Sequence, residues 1–469
     1  MNQNNTKAEQ TNLIPMISIT ILFFMWGFIT SLNDILIPYF KGVYNLSHFE
    51  ANIVQLAFFI AYFVGSLVFF FLAKKGKDPI HKFGYKNTLS IGLYVASVAC
   101  LIFAISAFMN LGFGVFLIAL FMLGLGLTFL QVAANPFVAM LGKKETASSR
   151  LNLSQAFNSL GTTLGPALGG YFIFKVFLNN SNGADAVKYP YLILAILLGV
   201  IAFFLNRVKI QEPITTKTQE GSNDSIFKYT YVWLGAIGIF FYVGAEVAIG
   251  SNLVAYLTSV SKGSISDSLA SSYLSYYWGG AMIGRFLGAV SLSKIKTNLK
   301  ILYMGILALA SFGLIYFINF YLHSLSIEVV WYFIIFMLLN FFFFYLGKGK
   351  PDRVLGIFAI VNSILLLVGM NFFGDFGYFS IWAILAIGLF NSVMWSNIFT
   401  LAIDSLSDKT AEASSILIMM ILGGALLPPL QGLIADISGQ ITISFIVPLI
   451  SYLYLIFYGF KGYKINKKY

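Results

Sequence analysis

Long apolar runs follow one another along almost the whole chain, and they limit what it can fold into. A helix that crosses a bilayer needs about 20 mostly apolar residues. Fourteen runs come close to this length or exceed it, so the sequence predicts an all-α membrane protein with fourteen spans. The runs lie at roughly 13–39, 50–73, 87–108, 112–140, 150–175, 190–206, 230–259, 268–291, 298–321, 327–347, 353–371, 378–402, 411–436 and 442–461.

Composition agrees with a membrane protein and excludes soluble domains. The chain of 469 residues is 58% hydrophobic and only 10% charged, whereas soluble domains carry about 25% charged residues. The polar start, residues 1–12, holds Lys7 as its one cation, so we expect a short cytoplasmic tail rather than a cleaved signal peptide. The single cysteine, Cys100, excludes an intramolecular disulfide.

The basic residues behind the net charge of +11 lie mostly in short loops between apolar runs. Clusters of Lys and Arg follow the second, fourth, sixth, eighth and tenth runs, as at Lys82 and Lys86 or Lys143 and Lys144. If every run crosses once, all the clusters lie on one side, which the positive-inside rule assigns to the cytoplasm. We therefore expect a multi-pass inner-membrane protein with both termini in the cytoplasm, and no nucleic-acid partner.

A polar linker and an internal repeat indicate two halves. The segments 160–170 and 422–432 share Leu, Gly, Leu, Pro, Leu and Gly in register, which favours a duplicated six-helix bundle. Two runs of the second half are surplus to this plan, and we expect them to form an inserted, lipid-facing hairpin at 298–347. The predicted organisation is an N-terminal bundle at 1–206, a cytoplasmic linker at 207–229 and a C-terminal bundle at 230–469.

Asp34 lies inside the first apolar run. A carboxylate at membrane depth costs on the order of 3 kcal/mol, so it usually faces a water-filled cavity, a partner or an ion path. Asp34 is therefore the first candidate for a group that takes up a proton or coordinates sodium. Glu246, flanked by Gly and Ala in a later run, is the second. Its alternative is a buried ion pair with Arg285, which could equally extend toward the cytoplasm.

Four amides form the candidate binding set for a polar ligand. Gln131 and Asn135 are four residues apart, and Gln155 and Asn158 are three apart, so each pair shares a helix face. Carboxamides donate and accept hydrogen bonds, which suits a polyhydroxylated ligand. The alternative is hydrogen bonding between helices, worth about 0.6 kcal/mol each.

Two further residues join the candidate binding set, and nothing in the sequence indicates catalysis. Asn33 adjoins Asp34, and Trp278 could stack on a sugar face, although membrane tryptophans often lie at the interface. The histidines fall in or beside loops and no phosphate-binding Walker loop occurs. We expect no enzyme activity and no cofactor other than a coupling ion, proton or sodium.

Several motifs resemble the fucose–galactose–glucose:proton symporter family of the major facilitator superfamily. They are LNDIL at 32–36, AANPF at 133–137, RLNL at 150–153 with Gln155 and FNS at 157–159, and GLFNS at 388–392. The resemblance implies twelve core helices in two six-helix bundles around a central cavity. It also implies that Gln155 and Asn158 contact sugar.

The glucose/galactose branch of that family resembles the chain more than the fucose branch. The fucose branch uses a first-span aspartate, matched by Asp34, and a fourth-span glutamate, whose place is taken by Gln131. Segments 130–136, 243–251 and 277–285 are similar to the glucose/galactose branch, which implies import of these hexoses by symport.

The sequence thus predicts a monomeric secondary active hexose transporter that binds a small sugar and membrane lipid. The alternatives are a fucose symporter of the same family, a membrane flippase or enzyme for lipid-linked sugars, and a sugar sensor without flux.

Overall fold

The computed structural model describes most of the chain. Four predicted features lie outside the described residues: the polar start at 1–12, the cation clusters in 75–78 and 142–146, and most of the linker, 209–227. The described residues are 13–74, 79–141, 147–177, 183–208, 228–262, 264–291, 296–323, 327–348, 350–372, 374, 377–403 and 410–465.

These residues form helices joined by short turns and contain no strand, which confirms the all-α prediction. Five of the helices before the linker are between 24 and 32 residues long. The helices before the linker are α1 (Leu13–Tyr44), α2 (His48–Lys74), α3 (Pro79–Phe108), α4 (Phe113–Met140), α5 (Ala147–Gly170) and α6 (Lys188–Arg207).

The part of the chain after the linker contains more helices because three predicted spans are broken. The run at 378–402 is interrupted after Asn391, the run at 411–436 contains a 3-10 turn at Met420–Leu422, and the run at 442–461 is divided at Phe445. The helices are α7 (Thr230–Val260), α8 (Asp267–Ser291), α9 (Thr297–His323), α10 (Ile327–Gly347), α11 (Pro351–Gly369), α12 (Tyr378–Asn391), α13 (Met394–Ile403), α14 (Thr410–Met419), α15 (Gly423–Ser438), α16 (Ile441–Ser444) and α17 (Ile446–Phe460).

Within the described residues, twelve helical segments are long and apolar enough to cross a membrane. They include both helices of the predicted hairpin, α9 and α10, but neither α5 nor α8. The sequence of α8 explains its exclusion, since four of its first nine residues are serines. The multi-pass architecture is therefore established, and the count of fourteen spans stays a prediction.

The same pattern of helix neighbours occurs in both halves. Before the linker, α1 packs on α5, α2 on α4, and α3 on both α4 and α6. After it, α7 packs on α15, α8 on α12, and α11 on both α12 and α17. Helices α9 and α10 stand outside this pattern, because α9 packs on α8 and α10 packs on α11 and α12.

The helix ends gather at two ends of the molecule. At the linker end, Lys86 Nζ at the start of α3 donates to the carbonyl oxygen of Asn206 in α6 at 3.2 Å. At the opposite end, called the far end below, α1 finishes, α2 begins and α15 finishes. The two halves meet through α5 against α8 and through α2 against α15.

Candidate functional site

Asp34 lies where the two halves meet, and its carboxylate is held from both. Asp34 is only 1% exposed. Its Oδ1 accepts hydrogen bonds from Gln55 Nε2 in α2 at 2.8 Å and from Ser251 Oγ in α7 at 3.3 Å. Its Oδ2 accepts one from Trp278 Nε1 in α8 at 2.9 Å. One side chain of α1 therefore ties together three other helices.

A glycine in α7 leaves space for this carboxylate between closely packed helices. A Cβ atom on Gly250 in α7 would lie 3.3 Å from Asp34 Oδ2 and 2.9 Å from the Trp278 ring. The absence of a side chain at Gly250 thus lets the acid and the indole meet. Small residues at such positions allow membrane helices to approach closely.

The three contacts to Asp34 all come from hydrogen-bond donors. An ionised carboxylate is an acceptor only, and bonds to its charged form are shorter and stronger than neutral ones. A buried charge is tolerated only when it is paired or fully hydrogen-bonded. The arrangement suits the ionised acid, and neutralising it would weaken three contacts between helices at once.

Glu246 in α7 belongs to a second polar cluster. Its Oε1 accepts a hydrogen bond from Tyr242 Oη at 2.8 Å and lies 3.9 Å from Arg285 Nη2. The ion pair that the sequence left open as an alternative is therefore present. Arg285 also bonds to Ser159 Oγ in α5 through Nη1 and to the carbonyl oxygen of Ser392 through Nε at 3.3 Å. This cation links α8 to the other half.

Tyrosines and asparagines extend the second cluster through the C-terminal half. Tyr277 Oη donates to the carbonyl oxygen of Glu246 at 2.8 Å and accepts from Asn391 Nδ2 at 3.1 Å. Asn391 Oδ1 in turn accepts from Tyr452 Oη at 2.7 Å and from Asn362 Nδ2 at 3.0 Å. This series of contacts reaches Asp34 through Trp278, because the rings of Tyr277 and Trp278 lie 5.1 Å apart and Trp278 bonds to Asp34.

The four predicted amides do not bond to Asp34. Asn135 Nδ2 donates to the carbonyl oxygen of Gln131 at 3.0 Å, and Asn158 Nδ2 to that of Phe23 at 2.9 Å. Gln155 is half-buried. The side-chain oxygens of Gln131 and Asn135 are buried and have no hydrogen-bond partner among the described residues.

The other two predicted ligand residues differ in their surroundings. Asn33 is fully buried, and neither polar atom of its side chain has a partner within the described part of the chain. Trp278 contacts the Asp34 carboxylate directly. The structure thus places Trp278 in contact with Asp34. Gln131 and Asn135 in α4, and Gln155 and Asn158 in α5, do not bond to this carboxylate.

Sequence reasoning missed Gln55 and Ser251, the partners that hold Asp34 Oδ1 from α2 and α7. One signal was available, because Asn52 and Gln55 are polar, three residues apart, and lie inside an apolar run. Among the described residues, no group of three or more His, Cys, Asp or Glu side chains could hold a metal ion.

Comparison with known proteins identifies the family to which this architecture belongs. Residues 19–347 match the sequence profile of the Major Facilitator Superfamily. The chain belongs to the Major Facilitator Superfamily. The resemblance to its fucose–galactose–glucose:proton symporters is thereby confirmed, because similar proteins include members of both branches.

The relatives of this major facilitator match it along nearly its whole length. A glucose/galactose transporter of Brucella abortus biovar 1 (strain 9-941) is 38% identical over 98% of this chain and 96% of its own. A putative glucose/galactose transporter of Helicobacter pylori (strain ATCC 700392 / 26695) is 36% identical over 97% and 98%. The L-fucose-proton symporter of Escherichia coli (strain K12) is 26% identical over 95% and 92%.

A solved structure shows the same fold. A crystal structure of the fucose:proton symporter FucP from E. coli covers 96% of this chain and 98% of its own with a TM-score of 0.63. Its sequence identity to this chain is 23%.

Proposed function

We propose that this major facilitator imports glucose or galactose by symport with a cation. The observation that carries the proposal is its similarity, at 36–38% identity over almost the full length, to proteins named as glucose/galactose transporters. The Asp34 carboxylate, buried where the halves meet, supplies a group whose charge can govern how they move.

We propose the proton as the coupling ion and Asp34 as its acceptor. Hard cations prefer oxygen ligands, whereas two of the three groups on this carboxylate are the N–H donors of Gln55 and Trp278. A proton needs only one carboxylate oxygen. By removing the charge it would weaken the contacts from α2, α7 and α8 and allow the loaded halves to rearrange.

Glu246 is the second coupling candidate. Its charge is offset by Arg285 at 3.9 Å, so a proton there would also release the cation that joins α8 to Ser159 of α5. The tyrosine and asparagine cluster around it connects this event to the Asp34 region.

We propose that the sugar binds between the bundles near the middle of the membrane. The buried amide oxygens of Gln131 and Asn135, which lack a partner among the described residues, support this site, since a ligand hydroxyl could satisfy them. The proposed sugar contacts are Asn33, Gln131, Asn135, Gln155, Asn158 and Trp278.

The finer architecture is also proposed. The recurrent pattern of helix neighbours supports α5 and α8 as additional spans, giving fourteen. It also supports α9 and α10 as a hairpin inserted in the second bundle, between α8 and α11. Together with the loop charges, the fourteen spans support our proposal that both termini lie in the cytoplasm of a bacterial cell, and we propose a monomer.

Fucose is the second candidate substrate. The E. coli L-fucose-proton symporter is similar over 95% of this chain, but at only 26% identity. The identity with the two glucose/galactose transporters is 10 or more percentage points higher (36% and 38% against 26%), so import of glucose or galactose remains the conclusion.

Uptake into proteoliposomes tests the proposal. Labelled glucose, galactose and fucose are offered with a proton gradient or a sodium gradient imposed separately. We expect uphill accumulation of glucose or galactose with the proton gradient alone. Uptake of none of the three sugars would refute hexose transport, and accumulation with sodium alone would refute proton coupling.

A further inference from the structure

Helix α2 carries a row of polar contacts along the boundary between the two halves of the molecule. His48, Asn52 and Gln55 follow the spacing of one helix face. At these three levels α2 bonds to Asp436 in α15 through the backbone, to Asn252 in α7, and to Asp34 of α1, which itself accepts a hydrogen bond from Ser251 in α7. The row runs inward from the far end to the Asp34 carboxylate.

The outermost contact is a helix cap supplied by the opposite half. Asp436 Oδ1 accepts the backbone N–H of His48 at 2.9 Å, and its Oδ2 accepts that of Phe49 at 2.8 Å. The first N–H groups of a helix have no partner within the helix, and a negative charge near them is stabilising. The C-terminal half therefore completes the start of a helix in the N-terminal half.

The cap of α2 does not depend on Asp436 alone. Ser47 Oγ accepts the N–H of Glu50 at 3.1 Å, and Glu50 Oε2 accepts the N–H of Ser47 at 2.8 Å. This reciprocal pair is a capping box. Helix α2 thus begins stably by its own residues, and the bonds of Asp436 act between the two halves.

Two further contacts hold the halves together beneath this cap. A Cβ atom on Gly432, one turn before Asp436, would lie 2.6 Å from the carbonyl oxygen of His48, so α15 and α2 touch backbone to backbone. Farther in, Asn52 Nδ2 donates to Asn252 Oδ1 at 2.9 Å, with both side chains buried.

We propose that Asp436 is a positioning residue of the transport cycle that holds the far end of the molecule closed by capping α2. The Asn52–Asn252 pair forms a second layer beneath it, and the Asp34 carboxylate forms the third. Opening at the far end must then break the Asp436 bonds and leave two helix N–H groups to water. The role in transport rests on the proposed function, whereas the closure itself is a property of the structure.

Distances between spin labels on the two halves test the closure. Replacing the one cysteine, Cys100→Ala, gives a cysteine-free background. The labels are attached at Gly42→Cys and Gln440→Cys. Gly42 lies at the far end of α1, where an added Cβ meets nothing within 4 Å, and Gln440 is exposed after α15. Double electron–electron resonance on the full-length protein in nanodiscs reports the fractions with short and long separations.

Asp436→Ala should raise the ratio of long to short separations about tenfold, which corresponds to ~1.4 kcal/mol. Glu50→Ala is the matched control, because it removes an exposed acid from the same end of α2 without touching the other half. That control should leave the distribution unchanged.

A second variant protects the test against misfolding. Gly432→Ala should shift the distribution in the same direction through the contact with His48, whereas Gly305→Ala in α9, where an added Cβ meets no atom within 4 Å, should not. An unchanged distribution in Asp436→Ala, or an equal shift in Glu50→Ala, overturns the proposal. The measurement needs no sugar, so failure of sugar uptake by the unaltered protein would count against the proposed function alone.

Discussion

Asp34 shows how one residue can be found from sequence while its surroundings cannot. A carboxylate in an apolar run is conspicuous because of its cost in the membrane. Its partners Gln55, Ser251 and Trp278 are 21, 217 and 244 positions away in the chain. No local pattern encodes contacts of that separation, so only the fold reveals that the acid joins both halves.

The pair of Glu246 and Arg285 can be tested by a double-mutant cycle. Removing one partner of a buried pair costs about 3–5 kcal/mol, and exposed pairs are worth about 0–1 kcal/mol. The two side chains are 12% and 21% exposed, so Glu246→Gln should lower stability by about 1–2 kcal/mol. Adding Arg285→Gln should restore part of the loss. Thermal unfolding in detergent measures both, and fully additive losses contradict the pairing.

Gln131 offers a test of the proposed sugar site. Its side-chain oxygen is buried without a partner in the described part of the chain, and a glutamate there would add a titratable group beside the sugar. We expect Gln131→Glu to make transport more dependent on pH than in the unaltered protein. Initial uptake rates over a range of pH provide the comparison, and an unchanged profile counts against this placement.

At the scale of elements, the internal repeat has a structural reason. A Cβ on Gly161 in α5 would overlap the carbonyl oxygen of Phe24, and one on Gly423 in α15 would overlap that of Phe240. The two glycines occupy equivalent positions in the repeated motif, and each packs against the first helix of its own half. The repeat was visible in the sequence because this contact tolerates only glycine.

Alanine at either glycine should therefore destabilise the protein. Overpacking a close contact costs about 1–3 kcal/mol, so Gly161→Ala and Gly423→Ala should each lower the unfolding temperature. Gly305→Ala, in α9 with open space around it, is the control and should have little effect. Equal unfolding temperatures for all three variants would show that the backbone contacts are looser than described.

Other features of the helices were beyond sequence reasoning. Apolar runs marked the positions of the spans but not the break between α12 and α13 or the 3-10 turn before α15. Hydropathy measures how apolar a segment is, and it carries no information on where its backbone hydrogen bonding changes. Helix α5 is not among the twelve apolar segments, because many of its residues are polar or small. It packs on α1 and α8, and hydropathy does not report such contacts between helices.

The whole molecule makes a prediction about sidedness. If α8 crosses the membrane in the proposed orientation, residues 264 and 296, which are both exposed, lie on opposite sides, with residue 296 in the cytoplasm. Lys296→Cys and Ser264→Cys, each in the Cys100→Ala background, should then react with a membrane-impermeant thiol reagent from inside and outside the cell, respectively. Labelling of both from the same side would contradict fourteen spans.

The central claim is that the charge of Asp34 couples cation movement to sugar movement across the two halves. Asp34→Asn keeps the size of the side chain but fixes it as neutral. The decisive measurement compares uphill hexose accumulation with counterflow exchange in proteoliposomes that contain this variant. The account predicts that accumulation is lost while some exchange persists, and full accumulation by Asp34→Asn would contradict it.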